Sequence, residues 1–120
     1  MTYEELVKQA KDSYQNMDAG KIKEHVAIQF NVTGEAAGAF YLEIADGKIN
    51  VEPYEYYDRD VLVITDAQTL CEIAEGKLDI VKAYTTGQIK AEGNLGKALL
   101  LKQITAKAKK AAKKAAKKKD

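Results

Sequence analysis

Alternation between His25 and Val51, broken by one short loop and one tight-turn dipeptide, constrains this chain more than any other feature. Val26, Ile28, Phe30 and Val32 fall on one face of an extended segment, and Ala27, Gln29, Asn31 and Thr33 on the other. That period of two is the signature of a strand with one face in a core. After the loop Gly34 to Gly38, the residues Phe40, Leu42 and Ile44 repeat the pattern, with Tyr41 and Glu43 pointing the other way. Asp46-Gly47 then suits the positive φ angles of a primed two-residue turn. Ile49 and Val51 continue on the partner strand, which Pro53 ends or confines to an edge. A sheet built on a hairpin is therefore obligatory, and its apolar face needs a cover.

The rest of the chain supplies that cover. Val61-Leu62-Val63-Ile64 is apolar at every position and reads as a strand buried on both faces. Asp66 is placed to cap a helix carrying Leu70, Ile73 and Ala74 and stopped at Gly76, because its carboxylate accepts from free backbone N–H groups. Asp79 opens a second short helix with Ile80, Val81 and Tyr84, stopped at Gly87; Ile89 and Ala91 form a short strand ending at Gly93. Asn94 caps a last helix carrying Leu95, Ala98, Leu99, Leu100, Leu101 and Ile104. At the other end, Thr2 and Glu5 have capping-box spacing. Leu6, Ala10, Tyr14 and Met17, with Val7 beside them, make one helical stripe, so a first helix is expected near 3–18 with Gly20 as its stop.

With 120 residues the chain is expected to form one domain with a genuine core. It has no apolar run near the roughly 20 residues that span a bilayer. Its N-terminus lacks the pattern of a signal peptide, and its C-terminal Lys-Lys-Lys-Asp is no peroxisomal address. Cys71 is the single cysteine, so a reducing, cytoplasmic setting is the expectation. A net charge of +1 conceals an acidic body and a basic tail: residues 1–101 hold 10 basic and 17 acidic side chains, whereas 102–120 hold nine lysines and one Asp. From Ala106 the sequence is nearly all Ala and Lys. Both are strong helix formers, so the last helix is expected to run on toward Lys118, about 36 Å at 1.5 Å per residue. Its stripe of Leu100, Ile104, Ala108, Ala111 and Ala115 weakens distally, and the end is expected to fray.

The ordered set of these landmarks resembles the sterol carrier protein-2 family over about residues 20–105. The resemblance rests on Ile28, Phe30, Val32, Gly34, Gly38, Phe40, Leu42, Ile44, Asp46 and Gly47, then Asp60, Val61 and Leu70. Its most specific part is Gly76-x-Leu78-Asp79-x-x-x-Ala83 followed by Gly87-x-Ile89-x-x-x-Gly93. It implies an α+β fold with a five-stranded mixed, mainly antiparallel sheet and helices covering one face, in a stand-alone bacterial or archaeal version. An apolar tunnel between sheet and helices would hold a fatty acid, acyl-coenzyme A, phospholipid or sterol-like lipid. The family offers no catalytic residues to carry over. The Lys/Ala tail lies outside the family pattern, and so does the cluster Tyr54 to Tyr57.

On that implication the lipid-binding domain is 1–105, with 106–120 as an extension. The ligand-binding set is Val32, Phe40, Leu42, Leu70, Ile73, Leu78, Leu99, Leu100 and Ile104, none of them charged. An acyl chain needs such a lining because each buried methylene contributes about 0.8 kcal/mol. The residues alone, without the resemblance, favour a close-packed core over a cavity, because protein interiors are normally close-packed. Lys109, Lys110, Lys113, Lys114, Lys117 and Lys118 are expected to contact an anionic membrane. Binding nucleic acid is the lesser alternative, since no Arg or aromatic is interleaved for base stacking. The competing reading is an interaction module with a solid core that meets an anionic nucleic acid or protein through this tail.

No catalytic or metal constellation emerges. His25 and Cys71 are the single residues of their kinds and lie on different elements, so neither a metal site nor a cofactor is expected. Ser13, the only serine, lies on the first helix without a nucleophile motif. Cys71 reads as a small core residue and His25 as a solvated or hydrogen-bonded strand residue. Asp58 and Asp60 read as solvated turn residues flanking Arg59. Tyr41, Tyr54, Tyr56 and Tyr57 read either as amphipathic surface residues or as a contact patch. A non-enzymatic monomer is the expectation.

Overall fold

A computed structural model describes residues 1–14, 17, 19 and 22–100. Helix α1 (Tyr3–Tyr14) precedes strand β1 (Val26–Thr33), a 3-10 turn at Gly34–Ala36, β2 (Gly38–Ala45), β3 (Lys48–Glu52) and β4 (Val61–Asp66). Then follow α2 (Ala67–Ala74), α3 (Ile80–Thr85), β5 (Lys90–Gly93) and α4 (Leu95–Ala98). The five strands lie in the order β3-β2-β1-β4-β5. All pairs are antiparallel except β1 with β4, so the sheet is mixed and mainly antiparallel as the resemblance implies. Ile104 and the lysine tail lie outside the described residues, as does Gly20.

Local chemistry explains most of the boundaries. Thr2 and Glu5 close the capping box in both directions, at 3.1 and 2.9 Å. Asp46 and Gly47 have φ of 53° and 75°, which is the primed turn that matches the twist of the β2–β3 hairpin. Asp66, Asp79 and Asn94 each accept a backbone N–H at the start of their helices, from Thr69, Val81 and Lys97 at 2.7, 2.8 and 3.2 Å. Helix α1 is described as Tyr3–Tyr14; of the rest of the expected 3–18, residues 15, 16 and 18 lie outside the described residues, and Met17 sits in a bend with its N–H on the Tyr14 carbonyl.

Three differences from the sequence reading matter. First, β1 is the middle strand and is covered on both faces. Ala27 and Gln29 are as buried as the residues pointing the other way. The cover is the β3–β4 connection, which crosses the second face of the sheet. The Tyr56 N–H donates to Gln29 Oε1 at 3.0 Å, and the Gln29 amide donates to Asn31 Oδ1 at 2.8 Å. Among the described residues no buried side-chain nitrogen or oxygen lacks a hydrogen-bond partner, as burial requires.

Second, Asp60 is no solvated turn residue. Its carboxylate accepts from the Ala27 N–H at 2.9 Å and from Lys97 Nζ at 3.2 Å. Its backbone bonds Ala27 O and Asn94 N, both at 2.8 Å. One residue thereby ties β1, the entry to β4 and the start of α4. Gly93 completes the knot, because at its φ of 109° a side-chain carbon would run into the Asp60 carbonyl.

Third, the two faces of the sheet differ in kind. Helices α1, α2 and α3 pack on the face of Phe30, Phe40, Leu42 and Val63, and Leu6, Tyr14, Ile73, Ile80 and Ala83 complete that core. The opposite face carries a polar group. His25 Nε2 and the Tyr56 hydroxyl each meet Glu43 Oε2 at 2.8 Å, and the Tyr56 ring stands edge-on to Tyr41 with centroids 5.0 Å apart.

Candidate functional site

Between the apolar face of the sheet and its helical cover lies a cavity of about 40 Å³. Its floor is Phe30, Phe40, Leu42 and Val63, with the two phenyl rings stacked 5.0 Å apart. Helix α1 contributes Leu6, Gln9, Ala10, Ser13 and Tyr14, and α2 with its C-cap contributes Leu70, Cys71, Ile73, Ala74 and Glu75. Ile80 and Ile89 close the far end. The positions follow from local pattern. Alternation turns Phe40 and Leu42 inward, and i, i+4 spacing puts Leu6, Ala10 and Tyr14 over them.

Of the expected ligand-binding set, Phe40, Leu42, Leu70 and Ile73 converge on this cavity. Val32 is buried in the core beyond it. Leu78 and Leu100 pack against the core without reaching the lining. Leu99 lines a second apolar hollow of about 70 Å³ with Val63, Ile80, Val81, Tyr84, Ile89, Ala91, Leu95 and Ala98. Val63, Ile80 and Ile89 are walls of both spaces.

Cys71 also borders an open hollow of about 430 Å³, together with Met1, Thr33, Gly34, Glu35, Ala36, Asp66, Ala67 and Gln68. Cys71 is thus common to this hollow and the central cavity, as Val63, Ile80 and Ile89 are to the cavity and the second hollow.

The lining is not wholly free of charge, as the sequence reading had it. Exposed Glu75 brings a carboxylate to the edge of the cavity, beside polar Gln9 and Ser13. Cys71 is also less simple than a small core residue. It is half-buried, its Sγ lies 3.6 Å from Gln9 Oε1, and burial, aided by Glu75, pushes its thiol pKa up. A raised pKa makes a poor nucleophile at neutral pH.

Leu6, Tyr14, Phe30, Val63, Ile80 and Ile89 also line the space, although the sequence reading placed them only on apolar faces. Their inward periodicity was the available signal. Among the described residues no group of three His, Cys, Asp or Glu side chains is placed to hold a metal ion. Among the same residues no helix is long and apolar enough to cross a membrane.

Small-molecule sites usually enclose roughly 300–1,000 Å³, so the central cavity as it stands admits water but no lipid. Room for a longer apolar ligand requires Val63, Ile80 and Ile89 to change rotamer, or the helical cover to lift from the sheet.

Comparison with known proteins agrees with this architecture. "Hydroxysteroid dehydrogenase-like protein 2" of Xenopus tropicalis is 30% identical over 94 residues; the match covers 78% of this chain but 22% of that protein. The fold of "UbiJ-SCP2 Ubiquinone synthesis protein" superposes with a TM-score of 0.68 at 13% identity, covering 88% of this chain and 94% of the other. Palmitated SCP2L2 from Aedes aegypti gives 0.64 at 18% identity, covering 88% and 95%. The model of the SCP-2 sterol transfer family matches residues 4–106. The chain belongs to the SCP-2 sterol transfer family, a placement that supports lipid binding or transfer in general.

Proposed function

We propose that this protein is a non-catalytic carrier that holds one acyl chain in a tunnel formed when the central cavity opens into the hollows that share its lining residues. The observation that carries the reading is the cavity on Phe30, Phe40 and Leu42, which sits where sheet and helices meet and shares lining residues with an apolar hollow and with an open one. The palmitated state of the Aedes aegypti relative supports an acyl chain as the ligand class. Phe40, Leu42, Leu70 and Ile73 would contact the chain, with Leu6, Phe30 and Val63 beside them. Gln9, Ser13 and Glu75 would stand at its polar edge. The proposed carrier domain is 1–105. The lysines Lys109, Lys110, Lys113, Lys114, Lys117 and Lys118 of the 106–120 extension would meet anionic head groups, each contributing at most about 1 kcal/mol before screening.

The test is native mass spectrometry of the purified full chain, followed by organic extraction and by titration with a fluorescent fatty acid. A stoichiometric acyl lipid, or saturable uptake of the probe, is the expected result. A clean apo mass with no uptake overturns the carrier reading and leaves the interaction module.

A further inference from the structure

Seven large hydrophobic side chains are exposed among the described residues, and four of them gather at one place. Val81 (38%), Tyr84 (42%), Leu95 (38%) and Leu99 (48%) all border the 70 Å³ hollow at the α3–α4 end of the helical layer. The other three, Met1, Tyr54 and Tyr57, do not line it. Exposed apolar side chains gathered in one patch mark an interaction surface. Val63, Ile80 and Ile89 line both the hollow at this patch and the central cavity.

The chain then continues from Leu99 into residues 102–120, with nine lysines and one Asp. At no more than about 3.6 Å per residue, Lys102 cannot lie farther than roughly 11 Å from Leu99 along the chain. An apolar patch is therefore tethered to a dense cationic segment. Neither alone would hold a protein firmly on a bilayer, but a shallow apolar insertion combined with a polybasic segment does.

We infer that the Val81, Tyr84, Leu95 and Leu99 patch is the surface by which the protein docks on an anionic lipid bilayer, and that it is the portal through which an acyl chain enters the central cavity. The inference rests on the carrier reading for its second half only. Nucleic acid would satisfy the lysines but has no use for exposed Val81, Leu95 and Leu99. A second copy placed patch to patch would bring two sets of lysines together. A bilayer with anionic head groups satisfies both the apolar and the cationic part.

The chain contains no tryptophan, so Tyr84→Trp introduces a single emission probe at the patch. With vesicles of phosphatidylcholine and phosphatidylglycerol, the emission is expected to shift to the blue and to be quenched by brominated acyl chains. Val81→Asn combined with Leu95→Asn, both at exposed sites, is expected to weaken vesicle binding by about tenfold or more. Protein that sediments with vesicles while its emission stays unchanged would show that the lysines dock alone, and would overturn the inference. Emission already blue without vesicles and unchanged by them would show the patch covered by this chain or by a second copy, with the same consequence. Fatty-acid uptake by the wild-type chain separates the two readings: uptake without a tryptophan response refutes the patch alone, whereas a response without uptake leaves the docking surface and refutes the carrier.

Discussion

Filling the central cavity should make the protein more stable and a poorer carrier. Ala10 lines the cavity from the middle of α1, where leucine costs almost nothing in helix propensity. Each cubic ångström of buried void costs about 24 cal/mol, so filling the 40 Å³ cavity with the Ala10→Leu side chain gains at most about 1 kcal/mol. For a chain of this size that is a rise of about 4 °C in midpoint temperature. The same side chain takes the place of two or three ligand methylenes, each contributing about 0.8 kcal/mol, so an acyl chain should bind roughly 30-fold more weakly. Urea unfolding of the lipid-free protein measures the first effect, and titration with a fluorescent fatty acid the second. Wild-type affinity in the stabilised variant would refute the placement of the ligand. A loss of about 1–3 kcal/mol would show an overpacked site, and would refute the claim that space exists there.

Three further outcomes follow from the same geometry. Asp60→Ala leaves the buried Ala27 N–H without an acceptor and Lys97 Nζ without its carboxylate, so unfolding should become easier by about 1–3 kcal/mol, measured by urea titration. Cys71, with its raised thiol pKa, should alkylate more slowly than a free thiol at neutral pH. It should slow further when an acyl chain fills the adjoining cavity, as followed by mass spectrometry with and without fatty acid.

The Glu43 carboxyl is held below its ordinary 4.5 by the hydrogen bond from His25 and then by that from Tyr56. A carboxyl depressed in the folded state adds stability that is present above its ordinary value and lost as pH falls through the folded one. The stability difference between wild type and Glu43→Gln, measured by thermal unfolding, should therefore shrink as pH drops below about 4.5.

What the sequence displayed plainly was local chemistry. The Asp46-Gly47 turn, the caps at Asp66, Asp79 and Asn94, and the inward set Phe40 and Leu42 depend on neighbours within a few residues. The structure repeats them. The ordered pattern from Ile28 to Gly93 also carried the family and, through it, the five-stranded sheet. What it hid depends on partners far along the chain. Gln29 looks like an outward strand residue until Tyr56, 27 positions later, covers it. Asp60 looks like a turn residue until Ala27 and Lys97 converge on it. The fill of the cavity was equally hidden. A few tens of cubic ångströms are decided by the rotamers of Val63, Ile80 and Ile89, and apolar periodicity is the same whether they meet or leave a gap. Glu75 reached the cavity edge because α2 ends there, a boundary set by Gly76 one residue later.

The measurement that bears most directly on the central claim is an intermolecular nuclear Overhauser experiment. It uses protein carrying labelled Leu, Ile and Val methyl groups and an unlabelled fatty acid. The account predicts contacts from the acyl methylenes to Leu42, Leu70, Ile73 and Val63, and to Leu6 above them. Contacts confined to the opposite face of the sheet around Leu62 and Ile64, or saturating binding with no methyl contact at all, would contradict it.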